Sequence, residues 1–438
     1  MAKLKRDLGV WGAASIGIGA IIGTGIFVLL GVAAGLAGPS VIFSFIIAGV
    51  TALLTGLSSA ELASFITEEG GSYIYTTKAF GKFPGFVVGW LKSFDYVVGS
   101  SAVSIGFASY FTYFLHLPPI QSTIITIAAV WPVILTILNL KGIREASGAN
   151  TGLVVLKVSA LIIFIVVGGY YLFNTGNYSN YQPFFPNGIN GMLSGAAIIF
   201  FAFIGFNTVT MVAEEVKEPQ KNVPKAVLLA FAVCTLLYIG VSLVAVGLLN
   251  WQILGQSTAP VEAALTVATN NFWILEFVAI SAIFATTSVI LSSIIGGSRA
   301  LFSMARQDVI PNIFSRISNN GIPFFTVLIC GISISIIVVV ASGNLDQLAS
   351  IFNFGTLLTF AFINLSLLKL RRSWPNEKRD FKVPFYPVTP ILGIISCVGL
   401  AFYLNPNAVI YGGSWIIIGI IVYLLNKWRI ERKKMIKT

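Results

Sequence analysis

Charge is scarce in this chain. Asp, Glu, Lys and Arg make up 10% of its 438 residues, against about 25% in a soluble globular chain. Histidine is scarcer still. His116 stands alone beside Pro118 and Pro119, so a metalloenzyme centre has no ligand set to draw on. The three cysteines, Cys234, Cys330 and Cys397, each fall inside an apolar run. Their spacing fits neither a metal site nor a disulfide framework, and they read as buried small hydrophobes. No GxxxxGK[ST] motif occurs, which argues against an ATP-driven pump. No Ser-His-Asp set can be assembled, no cofactor motif appears, and no ring of charges or carbonyl filter repeat suggests a channel.

What is abundant is apolar length. Hydrophobic residues make up 56% of the chain. Runs of about 20 residues, the length that crosses a bilayer, recur at roughly 10–36, 40–66, 83–113, 121–140, 148–172, 191–214, 224–249, 272–303, 322–341, 347–370, 388–404 and 408–426. The pattern predicts an all-α integral membrane protein with twelve spans and no soluble domain. The first run is too long and too Gly-rich for a cleaved leader.

The net charge of +11 raises nucleic acid as a partner, but its placement argues otherwise. Of the 27 Lys and Arg, all but Lys92 and Lys157 gather in the first six residues, around the even-numbered connections and in the tail. The odd-numbered connections (31–39, 114–120, 173–190, 250–271, 342–346 and 405–407) carry none. This is the positive-inside asymmetry. It places both termini in the cytoplasm, at the cell membrane, and favours an even span count. The surplus has a further use in attracting anionic lipid. No cysteine lies in an outer connection, so no disulfide-linked accessory subunit is expected.

Away from the span ends, where Glu61 and Glu276 lie, three charged groups remain within spans: Lys92, Asp95 and Lys157. Intramembrane charges are costly and usually functional. At 1.5 Å per residue, Asp95 lies about 18 Å and Lys157 about 14 Å from the cytoplasmic edge, near the midplane. Three readings follow: a structural ion pair between them, a proton relay, or local pairing of Asp95 with Lys92 three residues earlier. Desolvation penalises the charged form of a mid-membrane lysine, which makes Lys157 a credible proton carrier.

The first run contains GIGAIIGTGIF (17–27), with four glycines in nine residues. Glycine costs about 1 kcal/mol against alanine in a helix interior. Gly31 and Gly35 fit small-xxx-small packing. Gly23-Thr24-Gly25 instead reads as a break that exposes backbone N–H groups, aimed by the following half-helix. A matching break is expected in FFAFIGFNT (200–208), where Gly205 and Asn207 interrupt the sixth run. Paired breaks in corresponding halves point to a secondary transporter's site. Their opposed dipole ends suit a zwitterion such as an α-amino acid.

Several stretches resemble the amino acid–polyamine–organocation (APC) superfamily: GAIIGTGIF (19–27), EEGGSYIYTTKAFG (68–81), FFAFIGFNTVTMVAEEVKEPQKNVPKA (200–226), SRALFSMARQDVIP (298–311), FGTLLTF (354–360) and RDFKVPFYPVTPILGI (379–394). The resemblance implies a LeuT-like 5+5 inverted repeat. The repeats would be 10–172 and 191–370, with discontinuous helices 1 and 6. Residues 1–9 would be cytoplasmic, 388–426 peripheral spans, and 427–438 a basic tail. It implies carboxylate contacts at Thr24 and Gly25, with N–H groups of Gly23 and Ile26. Ammonium acceptors would be the carbonyls of Ile21, Phe201 and Ile204. Phe206 would be an aromatic gate or pocket wall, and Asn207 a pocket polar group.

VVLKVSAL (154–161) resembles proton-coupled members, in which a lysine replaces sodium; that position is Lys157, near the hydroxyls of Thr286, Thr287 and Ser288. GWLKSFDYVVGSSA (89–102) resembles the cationic amino acid branch, with an acidic residue at Asp95. Asn207 and Ile204 depart from that branch and leave neutral and cationic substrates both open. Glu214 and Glu215 read as a solvated connector or as a gate with Arg299 or Arg306. The expected function is proton-coupled amino acid symport. Exchange, cationic amino acid or polyamine carriage, and a non-transporting sensor are the rivals.

Overall fold

The computed structural model describes residues 8–66, 68, 70–141, 147–206, 208–209, 216–306, 309–317 and 322–435. The described elements are helical, with one isolated bridge, Leu8 to Val216. In chain order they are α1 (Val10–Ile21), α2 (Leu30–Ala37), α3 (Val41–Phe65), α4 (Ser72–Phe80), α5 (Lys82–Phe114) and α6 (Gln121–Leu140). Next come α7 (Ser147–Thr175), α8 (Gly188–Ile199), α9 (Pro219–Leu248), α10 (Trp251–Gln256) and α11 (Pro260–Ala268). The last are α12 (Phe272–Arg306), α13 (Phe324–Val340), α14 (Leu345–Ser373), α15 (Val388–Ala401) and α16 (Pro406–Met435).

Among the described residues, eight helical stretches are long and apolar enough to cross a membrane, and four shorter apolar helices accompany them. The expected runs fall on these helices with shifted ends. The first and sixth runs divide. α1 is followed by a π-helical turn, Gly25–Leu29, that leads into α2, and α8 gives way to a 3-10 turn, Phe200–Phe203.

Burial sorts the helices into two layers. The α2–α3 stretch, α5 and α14 are largely buried, whereas α6, α7 and α16 present most of their surface outward. A helix apolar on every side can face either protein or lipid, so neighbours decide. Small residues give α5 its central place. Gly99 lies under the Phe352 ring and Gly106 under Thr24 and Val28. Outermost α16 is fastened by stacked Trp90 and Trp415, 4.7 Å between ring centroids. The Trp90 indole donates to the Trp415 carbonyl at 2.9 Å, and Gly419 makes room for the ring.

One polar cluster closes an end of the bundle. The buried Glu61 carboxylate of α3 takes both guanidinium arms of Arg371 of α14, one at 2.7 Å, and the Val383 N–H at 2.6 Å. Arg379 stands beside it at 3.5 Å and caps the end of α14 through the Leu370 and Trp374 carbonyls. Glu61 thereby ties α3, α14 and the segment before α15 together.

Candidate functional site

The first break falls where the glycines predict. α1 ends at Ile21, and Ile22 turns extended (φ −74°, ψ 103°) before the chain coils again at Thr24. The second break has the same character. Ile204 is extended (φ −82°, ψ 128°) and Gly205 has φ +144°, a conformation that side chains resist.

The two breaks lie against each other. A Cβ on Gly25 would stand 2.3 Å from the Ala202 Cα, and one on Gly205 would stand 2.5 Å from the Ala20 carbonyl oxygen. Glycine at both positions is what lets the backbones touch.

Breaking a helix releases carbonyls that would accept from residue i+4. Lys157 of α7 takes one of them. Its buried ammonium donates to the Gly19 carbonyl and to Ser288 Oγ of α12, each at 3.0 Å. The Tyr238 hydroxyl of α9 lies 2.8 Å from the Ile21 carbonyl oxygen and 3.2 Å from that of Ala202, bridging both breaks. The Asn353 amide of α14 donates to the Ala197 and Ile198 carbonyls. Tyr110 of α5 donates to the Phe27 carbonyl at 2.7 Å.

Thr24 is buried, and its Oγ1 has no partner among the described residues. Ile21, Gly23, Thr24, Gly25 and Ile26 lie along the first break, where Gly25 meets Ala202 of the second. Phe201 lies 4.4 Å from the Phe352 ring, and its carbonyl accepts the Ile204 N–H at 3.3 Å. Phe206 is wholly buried, 5.2 Å from Phe231 and 5.4 Å from Phe360. In this conformation it is core. Asn207, Glu214 and Glu215 lie outside the described residues. Thr286 turns back to the Ala282 and Ile283 carbonyls, whereas Ser288 reaches Lys157.

Asp95 and Lys157 face different elements. Buried Asp95 accepts from Thr356 Oγ1 of α14 at 3.0 Å and sits over Gly355. The charge acting on it is Lys92, whose ammonium lies over the Tyr96 ring. The contacts described for Lys157 are to α1 and α12, those of Asp95 to α14 and Lys92. Tyr238, Tyr110, Asn353, Phe352 and Ser100, a buried hydroxyl without a partner among the described residues, escape sequence reasoning. They sit in unremarkable apolar runs.

The family model for amino acid permeases matches residues 8–425. The chain belongs to this family, within the APC superfamily. This permease is 35% identical over 440 residues to the branched-chain amino acid permease BcaP of Bacillus subtilis (strain 168), covering 97% of this chain and 93% of that one. It is 34% identical over 444 residues to the methylthioribose transporter of the same organism, covering 97% and 94%. It is 32% identical over 393 residues to the vacuolar cationic amino acid transporter 2 of Arabidopsis thaliana, covering 86% and 61%. The permease is thus a multi-pass membrane transporter rather than an enzyme.

Proposed function

We propose that this permease carries amino acids across the cell membrane by alternating access, in symport with protons. The observation that carries the reading is the contact between the two backbone breaks. Gly25 against Ala202 and Gly205 against Ala20 bring N–H groups and carbonyls of opposite polarity to one place. The substrate carboxylate would take the N–H groups of Gly23, Gly25 and Ile26 and the idle Thr24 hydroxyl. Its ammonium would take the remaining lone pairs on the carbonyls of Ile21, Phe201 and Ile204. The Lys157 ammonium occupies a cation's place between α1, α7 and α12. Its loss of a proton would release Gly19 and loosen α1. Asp95, facing α14 and Lys92, is a second protonatable group on the same helical core.

The architecture that goes with this reading is twelve spans in two inverted repeats, 10–172 and 191–370. Residues 388–426 would be peripheral spans and both termini cytoplasmic. The relatives span branched-chain and cationic amino acids and methylthioribose, so the panel must include all three.

The test has two stages. Thermal stabilisation of the purified permease against the twenty amino acids, putrescine and methylthioribose identifies the ligand, because a molecule that binds only the folded state raises its melting temperature. Uptake of that ligand is then driven by a pH gradient in proteoliposomes. Lys157→Ala is expected to cut gradient-driven accumulation about tenfold or more while ligand-induced stabilisation persists. Accumulation by wild type that ignores the pH gradient would overturn proton coupling. A shift with putrescine alone would overturn the zwitterion reading.

A further inference from the structure

The connection 250–271 holds an acidic group that the transport site does not use. Glu262, in the first turn of α11, is fully buried. The Tyr113 side chain of α5 is its hydrogen-bonding neighbour, too poorly aligned to satisfy either carboxylate oxygen among the described residues. α11 is packed among α2, α7, α9, α10, α12 and the π-helical turn Gly25–Leu29, directly above the first break. Tyr110 fastens it there, because its hydroxyl bonds to the Phe27 carbonyl and faces the Val261 and Glu262 backbone.

The titratable groups facing Glu262 are Glu276 of α12 and Tyr113 and Tyr110 of α5. Glu276 is itself almost buried, its Oε2 without a hydrogen-bond partner among the described residues, and exposed His116 stands 3.6 Å from its Oε1. α2 and α10 contain no titratable side chain. On α7, Lys157 is engaged with Gly19 and Ser288. Among the described residues, the groups acting on Glu262 come from α12 and α5.

An ionised carboxylate in such a place would stand desolvated and next to a like charge, with Tyr113 alone opposing them. Both conditions favour the neutral acid. We propose that Glu262 is a proton-binding site that loads from the outer solution as α11 seats over the first break, an inference that rests on the alternating-access reading. In the lifted position the carboxylate is hydrated and ionised. Seating adds one proton from outer water to a carboxylate oxygen and forms the buried acid. Closure of the outer mouth is thereby a proton-uptake step.

Burial, and then the charge of Glu276, push the seated Glu262 carboxyl up to about 8 from its ordinary 4.5. Seating is therefore most favoured below the ordinary value. It weakens as pH rises toward about 8 and changes no further above that.

The experiment uses the full chain in lipid nanodiscs. Spin labels at Thr266→Cys on α11 and Ser122→Cys on α6, with the three native cysteines replaced by alanine, report the position of α11 by pulsed dipolar spectroscopy. The longer-distance population is expected to rise about tenfold or more between pH 5 and pH 8.5. Glu262→Gln should hold α11 seated at every pH. Glu276→Gln should make the rise level off at lower pH, and His116→Gln should leave it in place.

A distance distribution unchanged between pH 5 and pH 8.5 overturns the proposal, as does a wild-type rise in Glu262→Gln. Should that variant fail to fold, an unaltered rise in Glu276→Gln does the same. Proton-driven accumulation with an immobile α11 sinks this proposal and spares the transport reading. A pH-dependent α11 in a protein that accumulates nothing sinks the transport reading alone.

Discussion

At single residues, what was legible was unusual chemistry in an apolar setting. Lys157 and Asp95 stand out because charges are costly in hydrocarbon, and both are buried with specific partners. Which partners they have was not legible. Depth along a helix puts both near the midplane, but the direction a side chain faces depends on helix rotation, and here one turns to α1 and α12 and the other to α14. Thr24 allows a clean separation of binding from folding. A buried hydroxyl without a partner costs stability unless a ligand satisfies it. Thr24→Val keeps the shape and removes the hydroxyl. It is expected to leave the ligand-free melting temperature unchanged or slightly raised. Substrate affinity by titration calorimetry should fall about tenfold or more, as loss of a hydrogen bond to a charged group predicts. Equal affinity in the variant would remove Thr24 from the site.

At the scale of helices, the breaks could be read because glycine and polar residues cluster where an unbroken helix has no use for them. The supports of the breaks could not. Tyr238 and Asn353 lie 217 and 155–156 residues away from the carbonyls of Ile21 and of Ala197 and Ile198 that they hold. Nothing in their own apolar neighbourhoods marks them. Tyr238→Phe tests this support. The ring stays packed against Phe45 and Phe203, while the Ile21 and Ala202 carbonyls lose their shared donor. Each lost bond is worth about 1 kcal/mol, so the variant should bind substrate roughly five- to tenfold more weakly with only a modest drop in melting temperature. A wild-type affinity would show that Tyr238 packs the site without shaping it.

For the whole molecule, the all-helical class followed from composition, and the placement of the lysines and arginines gives an expected orientation. Packing order did not follow, because spans apolar on all sides look alike in sequence whether they face lipid or protein. The three-dimensional contacts put α5 and α14 inside and α16 outside. The orientation carries its own test. Single cysteines at exposed Leu117 and exposed Lys378, in a cysteine-free background, should divide cleanly. A membrane-impermeant thiol reagent added to intact cells should modify the first and spare the second. The reverse would invert the topology and, with it, the direction of proton loading.

The Glu61 cluster bears on how far such a molecule can move. α3 has 25 residues, so it is about 37 Å long. Arg371 and the Val383 amide grip it at Glu61 near one end, Asn364 of α14 holds Thr55 along its length, and Ser44 donates to the Met192 carbonyl of α8 near the other end. Fastened at both ends, the helix is a strut and not a free arm. Any tilt of α3 has to carry α8 and α14 with it, so these three helices shift as one body.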